Sequence, residues 1–262
     1  MATLQPIVIA PPHRVEASTD GVADATSPKH SWLGRTMRRW FDASATVEID
    51  ESREDRIDWL RAAPFVAMHL ACIGVIWVSV SPIALIVAAS LYAIRMFALT
   101  GFYHRYFSHR TFQTSRAVQF VFALIGASCV QRGPLWWAAH HRNHHRHADT
   151  TRDPHSPGVW GFLWSHMGWF LTPRNFRTDL SRVPDLAKYP ELRWLDRFDI
   201  AIPVVLAVGV YGLGVLLQHG APQLGTSGGQ PGTGVVSVAS SVLFHATVTI
   251  NSLAHRFGNR RY

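Results

Sequence analysis

The chain of 262 residues contains few charged side chains and few cysteines. Asp, Glu, Lys and Arg make up 16% of the residues, whereas globular proteins ordinarily carry about a quarter. Because aromatic residues reach 11%, the low charge does not indicate a chain that is mainly disordered. The two cysteines, Cys72 and Cys129, lie in apolar segments, which excludes a disulfide scaffold and a Cys–His nucleophile. The sequence also lacks a glycine-rich phosphate loop.

Long stretches without charge decide the predicted fold class. No Asp, Glu, Lys or Arg occurs in residues 62–94, and a membrane-spanning helix needs roughly 20 mainly apolar residues. Because Ser81-Pro82 lies near the middle of this window, it predicts two helices, at about 63–80 and 83–102, joined by a tight turn. One long, kinked helix is the alternative. A buried helix of a soluble core fits shorter runs than these.

A second charge-free window covers residues 200–254. Apolar residues at 200–217 and 235–253 flank a loop rich in Gly, Pro and Ser, so this window predicts two further spans. Eight Lys and Arg precede residue 62, fourteen lie in 95–197, and the short loops carry none. The positive-inside rule then predicts that the termini and the middle segment are cytoplasmic. We therefore expect an all-α integral membrane protein with four transmembrane helices in two hairpins.

The positive-inside rule also accounts for the net charge of +8, so no nucleic-acid partner is predicted. Residues 1–45 are predicted to be a flexible tail. Residues 46–61 are predicted to be an amphipathic helix on the membrane surface or an ordinary solvated helix. Two Lys against 23 Arg are typical of a GC-rich bacterial gene, which favours the bacterial inner membrane over the endoplasmic reticulum.

Histidine is the residue type in clear excess, with nine of the fifteen between residues 104 and 166. On a helix His141, His144 and His145 share one face, because three or four residues make about one turn. His140 can pair with His144 instead, so the spacing alone leaves the register open. Several imidazoles on one face suit Fe, Zn, Cu or Ni. A solvated basic face is the alternative interpretation.

Two further groups lie at the same predicted membrane boundary. His104 and His109 are five residues apart, roughly 140° around an ideal helix, so a straight helix does not point both at one ion. A helix end or a π-type turn between them would bring them together. Asn251 and His255 are four residues apart at the end of the last predicted span. The convergence of the three groups predicts a metal centre rich in nitrogen ligands.

The remaining histidines are interpreted as structural residues. Three lie in predicted spans and are expected to form hydrogen bonds between helices: His69, His219 and His245. Three lie outside the spans and are expected to support the centre: His147, His155 and His166. Carboxylates near the histidine clusters are limited to Asp149 and Asp153. A metal bundle bridged by carboxylates is therefore disfavoured.

Five motifs carry a resemblance to a known family. They are His-Arg-Tyr-Phe-Ser-His at 104–109, His-Arg-Asn-His-His at 141–145, Asp-Pro-His-Ser at 153–156, Ser-His-Met-Gly-Trp at 165–169, and Asn-Ser-Leu-Ala-His-Arg-Phe-Gly-Asn-Arg-Arg-Tyr at 251–262. In order, spacing and four-span topology the chain resembles membrane-bound acyl-CoA (fatty acid) desaturases of the stearoyl-CoA desaturase type, from about residue 60 onward. The resemblance assigns His141 as the start of the second motif.

The resemblance implies a desaturase domain over residues 46–262, with a cytoplasmic helical cap that carries a His-ligated di-iron site. The implied iron ligands are His104, His109, His141, His144, His145 and His255, with Asn251 acting through water and Trp137 beside the acyl tunnel. It also implies an oxidoreductase that uses O₂ to desaturate a fatty acyl chain, often at the 9,10 position. Two electrons would come from a carrier such as a ferredoxin, a rubredoxin or a cytochrome b5 type protein.

The chain departs from the family pattern in three places. The family continues to a third box of the form His-Asn-x-His-His, so the resemblance implies that the sequence ending at Tyr262 is either a fragment or a truncated chain, and that it is short of three ligands. Animal members have an Arg-Asp pair where this chain has Ala139-His140, and a tunnel Trp where it has Val248. The acyl carrier is therefore CoA, a carrier protein or an intact lipid. A related His-box membrane hydroxylase, or an inactive remnant of a desaturase, is the alternative function.

Overall fold

A computed structural model describes residues 31–45, 54–78 and 80–255. Within these residues the protein is helical and contains no strand. The α-helices are α1 (Trp32–Phe41), α2 (Trp59–Ala71), α3 (Val75–Val78), α4 (Pro82–Phe97), α5 (Arg116–Ala127), α6 (Pro134–His147), α7 (Pro157–Trp160), α8 (Pro173–Phe176), α9 (Pro184–Ala187), α10 (Pro190–Arg197), α11 (Ala201–Gly220) and α12 (Val236–Ser252). The prediction of an all-α architecture is confirmed.

The first charge-free window forms two helices long and apolar enough to cross a membrane, as predicted. They cover Trp59–Val78 and Pro82–Ser108. The second helix begins at Ser81, whose Oγ accepts a hydrogen bond of 3.1 Å from the Ala84 backbone N–H. Pro82 follows at the first helical position, where its missing N–H is not needed. One continuous kinked helix is therefore the wrong interpretation.

The second window contains one helix of this kind, α11, so the described residues contain three candidate spans. At the place of the predicted fourth span lies α12, which is 17 residues long. Its buried face is partly polar: Ser240 Oγ accepts a hydrogen bond of 2.8 Å from Nη1 of the buried Arg95. Helix α12 therefore packs against α4 through polar as well as apolar contacts.

Helix α1 lies within the tail predicted at residues 1–45. The part of that tail before residue 31 lies outside the described residues, as do residues 46–53 of the predicted amphipathic helix. Trp40 Nε1 donates a hydrogen bond of 2.7 Å to the Leu60 carbonyl, which fixes α1 to the start of the first candidate span. Trp32, Leu33 and Phe41 are exposed. Helix α1 therefore carries apolar side chains on its outer surface.

The N-terminus of α6 is capped by a side chain from a different helix. Its N-cap residue is Gly133, which has no side chain to serve as a cap. Instead Asp196 Oδ1, on α10, accepts a hydrogen bond of 2.7 Å from the Trp136 backbone N–H, and Thr178 donates one of 2.6 Å to Oδ2. A Cβ on Gly133 would lie 2.4 Å from Asp196 Oδ1. Glycine at this position therefore allows the buried carboxylate to reach the helix end.

The buried Asp196 should make stability fall as the pH rises. Burial raises the pKa of this carboxyl from 3.8 to about 6 against the hydrogen bonds from Thr178 and Trp136. Between these values the folded chain holds a proton that the unfolded chain has lost, so the free energy of unfolding decreases with pH. The loss is up to about 3 kcal/mol at 1.36 kcal/mol per pKa unit. Melting temperatures in detergent from pH 4.5 to 7.5 measure it.

The Asp196→Asn variant is the matched control, because it keeps the shape and cannot titrate. The wild type should lose stability relative to this variant as the pH rises from about 4 to about 6. Taking the difference between the two proteins cancels other carboxylates, such as Asp185, whose pKa values are lowered. A constant difference across this range would contradict the assignment.

Candidate metal centre

A π-helix at Ala98–Ser108 brings the first two histidines together. In a π-helix the N–H bonds to the carbonyl five residues earlier. The His109 backbone N–H donates in this way to the His104 carbonyl at 3.1 Å, at the end of the segment. The two Nε2 atoms then lie 3.1 Å apart. Of the two predicted ways to bring these histidines together, a helix end or a π-type turn, the structure contains the π-type turn.

Helix α6 adds two more imidazoles to the same point. His141 Nε2 lies 3.1 Å from His109 Nε2 and 3.0 Å from His145 Nε2. Together His104, His109, His141 and His145 present ligand atoms that all lie within 4.8 Å of one another. We call these four residues the first histidine group. His109 and His145 are exposed, so the group is open to solvent on one side.

The first histidine group fits a metal ion in both geometry and protonation. Nitrogen ligands about 2.1 Å from one ion and 90° apart lie about 3 Å from each other. Burial, followed by the neighbouring His145 and His104, lowers the pKa of His141 to about 2. Burial, then His109, also lowers the pKa of His145. Neutral imidazoles keep a lone pair for a metal, so the nitrogens of His141 and His145 are available as ligands.

His144 lies on the same helix but faces a second set of side chains. Its Nδ1 donates a hydrogen bond of 2.9 Å to Asp153 Oδ2, and His155 Nδ1 lies 3.0 Å from Oδ1. These three buried residues, His144, Asp153 and His155, form what we call the second group. Burial opposes ionisation of Asp153, but the two imidazoles outweigh it and lower the pKa of the carboxyl. The carboxylate thereby fixes the tautomer of His144 and leaves its Nε2 free.

The two predicted residues at the end of α12 approach the centre from another side. The His255 ring lies 5.0 Å from the His144 ring, and His255 Nδ1 lies 3.5 Å from Asp149 Oδ1. His255 therefore stands beside the second group. Asn251 lines the cavity described below.

Two residues of the second group were not predicted as ligands from the sequence. His155 was interpreted as a supporting residue, and Asp153 was counted only as a nearby carboxylate. The signal that could have found them is the Asp-Pro-His-Ser motif.

His140 belongs to neither group: it is buried, with ring centroids 4.4 Å from Trp136 and 5.2 Å from Trp169. Within α6, His141 and His145 are the two imidazoles that converge on His104 and His109.

An apolar cavity of about 550 Å³ adjoins the first histidine group. His104 and His141 form part of its wall. Trp137, which also lines it, stacks on His141 with ring centroids 4.7 Å apart and an angle of 22°. The lining is mainly aromatic and aliphatic and includes Phe65, Leu99, Phe244 and Val248. A long apolar chain in this cavity would lie against the imidazoles.

Comparison with known proteins gives consistent matches. The family model described as fatty acid desaturase matches residues 79–262. An sn-2 palmitoyl-lipid 9-desaturase of Nostoc is 34% identical over 61% of this chain and 53% of its own length. An sn-1 stearoyl-lipid 9-desaturase of Anabaena variabilis is 32% identical over 82% of this chain and 75% of its own length. An acyl-CoA 5-desaturase of Anemone leveillei is 32% identical over 74% of this chain and 57% of its own length. The chain thus spans between about half and three quarters of these relatives.

Proposed function

Because the chain belongs to the fatty acid desaturase family, we propose that it introduces a double bond into a fatty acyl chain with O₂. The observation that carries this proposal is the convergence of four imidazoles at the wall of an apolar cavity. In the balanced reaction the acyl chain loses two hydrogens from adjacent carbons. O₂ takes up these hydrogens with two electrons and two protons and becomes two waters.

The proposed centre contains two iron ions. His104, His109, His141 and His145 are the proposed ligands of one ion, and His144 and His255 of the other, with Asn251 acting through water. Iron, when bound, supplies the oxidising chemistry that breaks unactivated C–H bonds. Asp153 orients His144 in this proposal, because it accepts the Nδ1 proton and leaves Nε2 to face His255.

The proposed substrate is a saturated palmitoyl or stearoyl chain on CoA or on a membrane lipid, desaturated at carbons 9 and 10. The mainly apolar lining of the cavity suits an acyl chain and excludes water from it. The Trp137 ring forms the part of the wall next to His141. This ring would fix which carbon lies next to the first histidine group. Names of relatives that include 9-desaturases of palmitoyl and stearoyl lipids support the choice.

Three apolar helices in a member of this family indicate a membrane protein. We infer that α12 serves as a fourth span, in two hairpins, with both termini cytoplasmic in a bacterial inner membrane. The distribution of Lys and Arg supports this orientation. The exposed edges of His109 and His145 would face the external electron donor, a ferredoxin, rubredoxin or cytochrome b5 type protein.

Product analysis tests the proposal. Membranes containing the protein expressed from its native gene receive reduced ferredoxin and O₂, with stearoyl-CoA in one arm and stearoyl phosphatidylcholine in the other. We expect a cis-9 monounsaturated product in one arm, and that arm identifies the acyl carrier. A hydroxylated or keto product without an alkene would replace desaturation by the related hydroxylase chemistry. Membranes from cells without the gene provide the background.

A further inference from the structure

A chain of hydrogen bonds links three histidines that belong to neither the first histidine group nor the second group. His69 lies on α2, His245 on α12, and His166 in the π-helical turn Trp164–Gly168. His69 Nε2 lies 3.3 Å from His245 Nε2, and His245 Nδ1 lies 3.0 Å from His166 Nε2. The predicted role of His69 and His245 in contacts between helices is confirmed. The chain continues to Ser252, at the C-terminal end of α12.

With every ring neutral, the hydrogen bonds between the three histidines have one consistent donor-to-acceptor order. His69 Nδ1 lies 2.8 Å from the Phe65 carbonyl, which only accepts, so His69 carries its proton on Nδ1. His245 must then donate from Nε2 to His69, and His166 from Nε2 to His245. His166 Nδ1 lies 2.9 Å from Ser252 Oγ, which also lies 2.9 Å from the Val248 carbonyl, so these two acceptors share the single hydroxyl proton. Each nitrogen is paired, and each tautomer is fixed by its neighbour.

The end of this chain lies beside two segments that carry proposed ligands or members of the second group. Ser252 directly follows Asn251 and lies three residues before His255. Ser165, the neighbour of His166, donates a hydrogen bond of 2.5 Å to the His155 carbonyl and lies 3.5 Å from the Asn251 carbonyl. Ser165 and His166 therefore join the loop that carries His155 to the end of α12. Both residues are buried.

We propose that His166, held by His245 and His69, is a positioning residue for the second metal position. It sets the end of α12, and with it Asn251 and His255, against His144. The inference rests on the proposed metal centre and assigns a role to the Ser-His-Met-Gly-Trp motif. It also makes the first candidate span part of the support of the centre, because His69 belongs to α2. Loss of such supporting partners typically lowers metal affinity 10- to 100-fold.

Cobalt binding to the purified full chain tests the proposal independently of turnover. His109→Ala, which removes a nitrogen from the first histidine group, is the background in which the second position dominates the Co²⁺ titration. On this background His245→Leu should weaken Co²⁺ binding 10- to 100-fold and change the visible spectrum. His245→Gln should restore most of the affinity, because its amide both donates to His69 and accepts from His166.

Ser252→Ala provides a second variant with a minimal change in volume. It removes only the hydroxyl that His166 shares with the Val248 carbonyl, so we expect a smaller loss of affinity in the same direction. His219→Leu, at an exposed histidine of α11, is the control and should leave the titration unchanged. Unchanged Co²⁺ affinity in both His245→Leu and Ser252→Ala would overturn the proposal. Absence of Co²⁺ binding in the parent protein would instead overturn the metal centre itself.

Discussion

His141→Ala should reduce formation of unsaturated product to the background of membranes without the protein. His141 is a central member of the first histidine group, since its Nε2 lies close to those of both His109 and His145. Alanine removes a proposed ligand from the middle of the set and leaves three nitrogens that no longer surround one point. It also removes the ring on which Trp137 stacks, which opens the wall between cavity and centre.

Metal content separates loss of the centre from loss of the fold. Iron measured per purified chain should fall by one ion in His141→Ala, while the helix content by circular dichroism should remain that of the wild type. His219→Ala is the matched control, because it removes an exposed imidazole from α11 and should retain full activity and iron. Full turnover in His141→Ala would show that the first histidine group is not the reactive centre.

The helices that the sequence predicted best are those that depend on local chemistry. Absence of charge, together with Ser81 and Pro82, placed the boundary between the first two spans within a few residues. The serine caps the helix and the proline starts it, and both effects act within one turn. The five-residue spacing of His104 and His109 is equally local, and it predicted either a helix end or the π-type turn that the structure contains.

The second group depends on contacts that the spacing of residues does not encode. Asp153 reaches His144 only because a loop of irregular backbone turns back over the end of α6, with Asp149 in the left-handed region at φ 62°. The capping of α6 by Asp196 likewise joins residues 60 positions apart. The polar buried face of α12 follows from its contact with Arg95, which pattern arguments for an apolar span do not include.

Gly126→Ala should destabilise the protein strongly although it adds a single methyl group. A Cβ on Gly126 would lie 2.0 Å from Tyr103 Cε1, well inside van der Waals contact. Tyr103 is fully buried, with Phe107 and Trp137 on neighbouring positions at ring-centroid distances of 6.0 and 5.9 Å. Buried side chains therefore surround the ring and oppose its displacement. We expect a loss of about 2–3 kcal/mol in the free energy of unfolding, as for overpacked cores.

Gly209→Ala is the control that isolates the steric cause. Gly209 is also helical, in α11, but a Cβ there meets nothing within 4 Å. Alanine is favoured over glycine in a helix by roughly 0.5–1 kcal/mol, so this variant should be as stable as the wild type or slightly more stable. Thermal unfolding in detergent compares the two. Because Tyr103 precedes His104 in the π-helix, Gly126→Ala should also weaken Co²⁺ binding at the first histidine group. Equal melting temperatures for the Gly126→Ala and Gly209→Ala variants would rule out this packing as the support of His104.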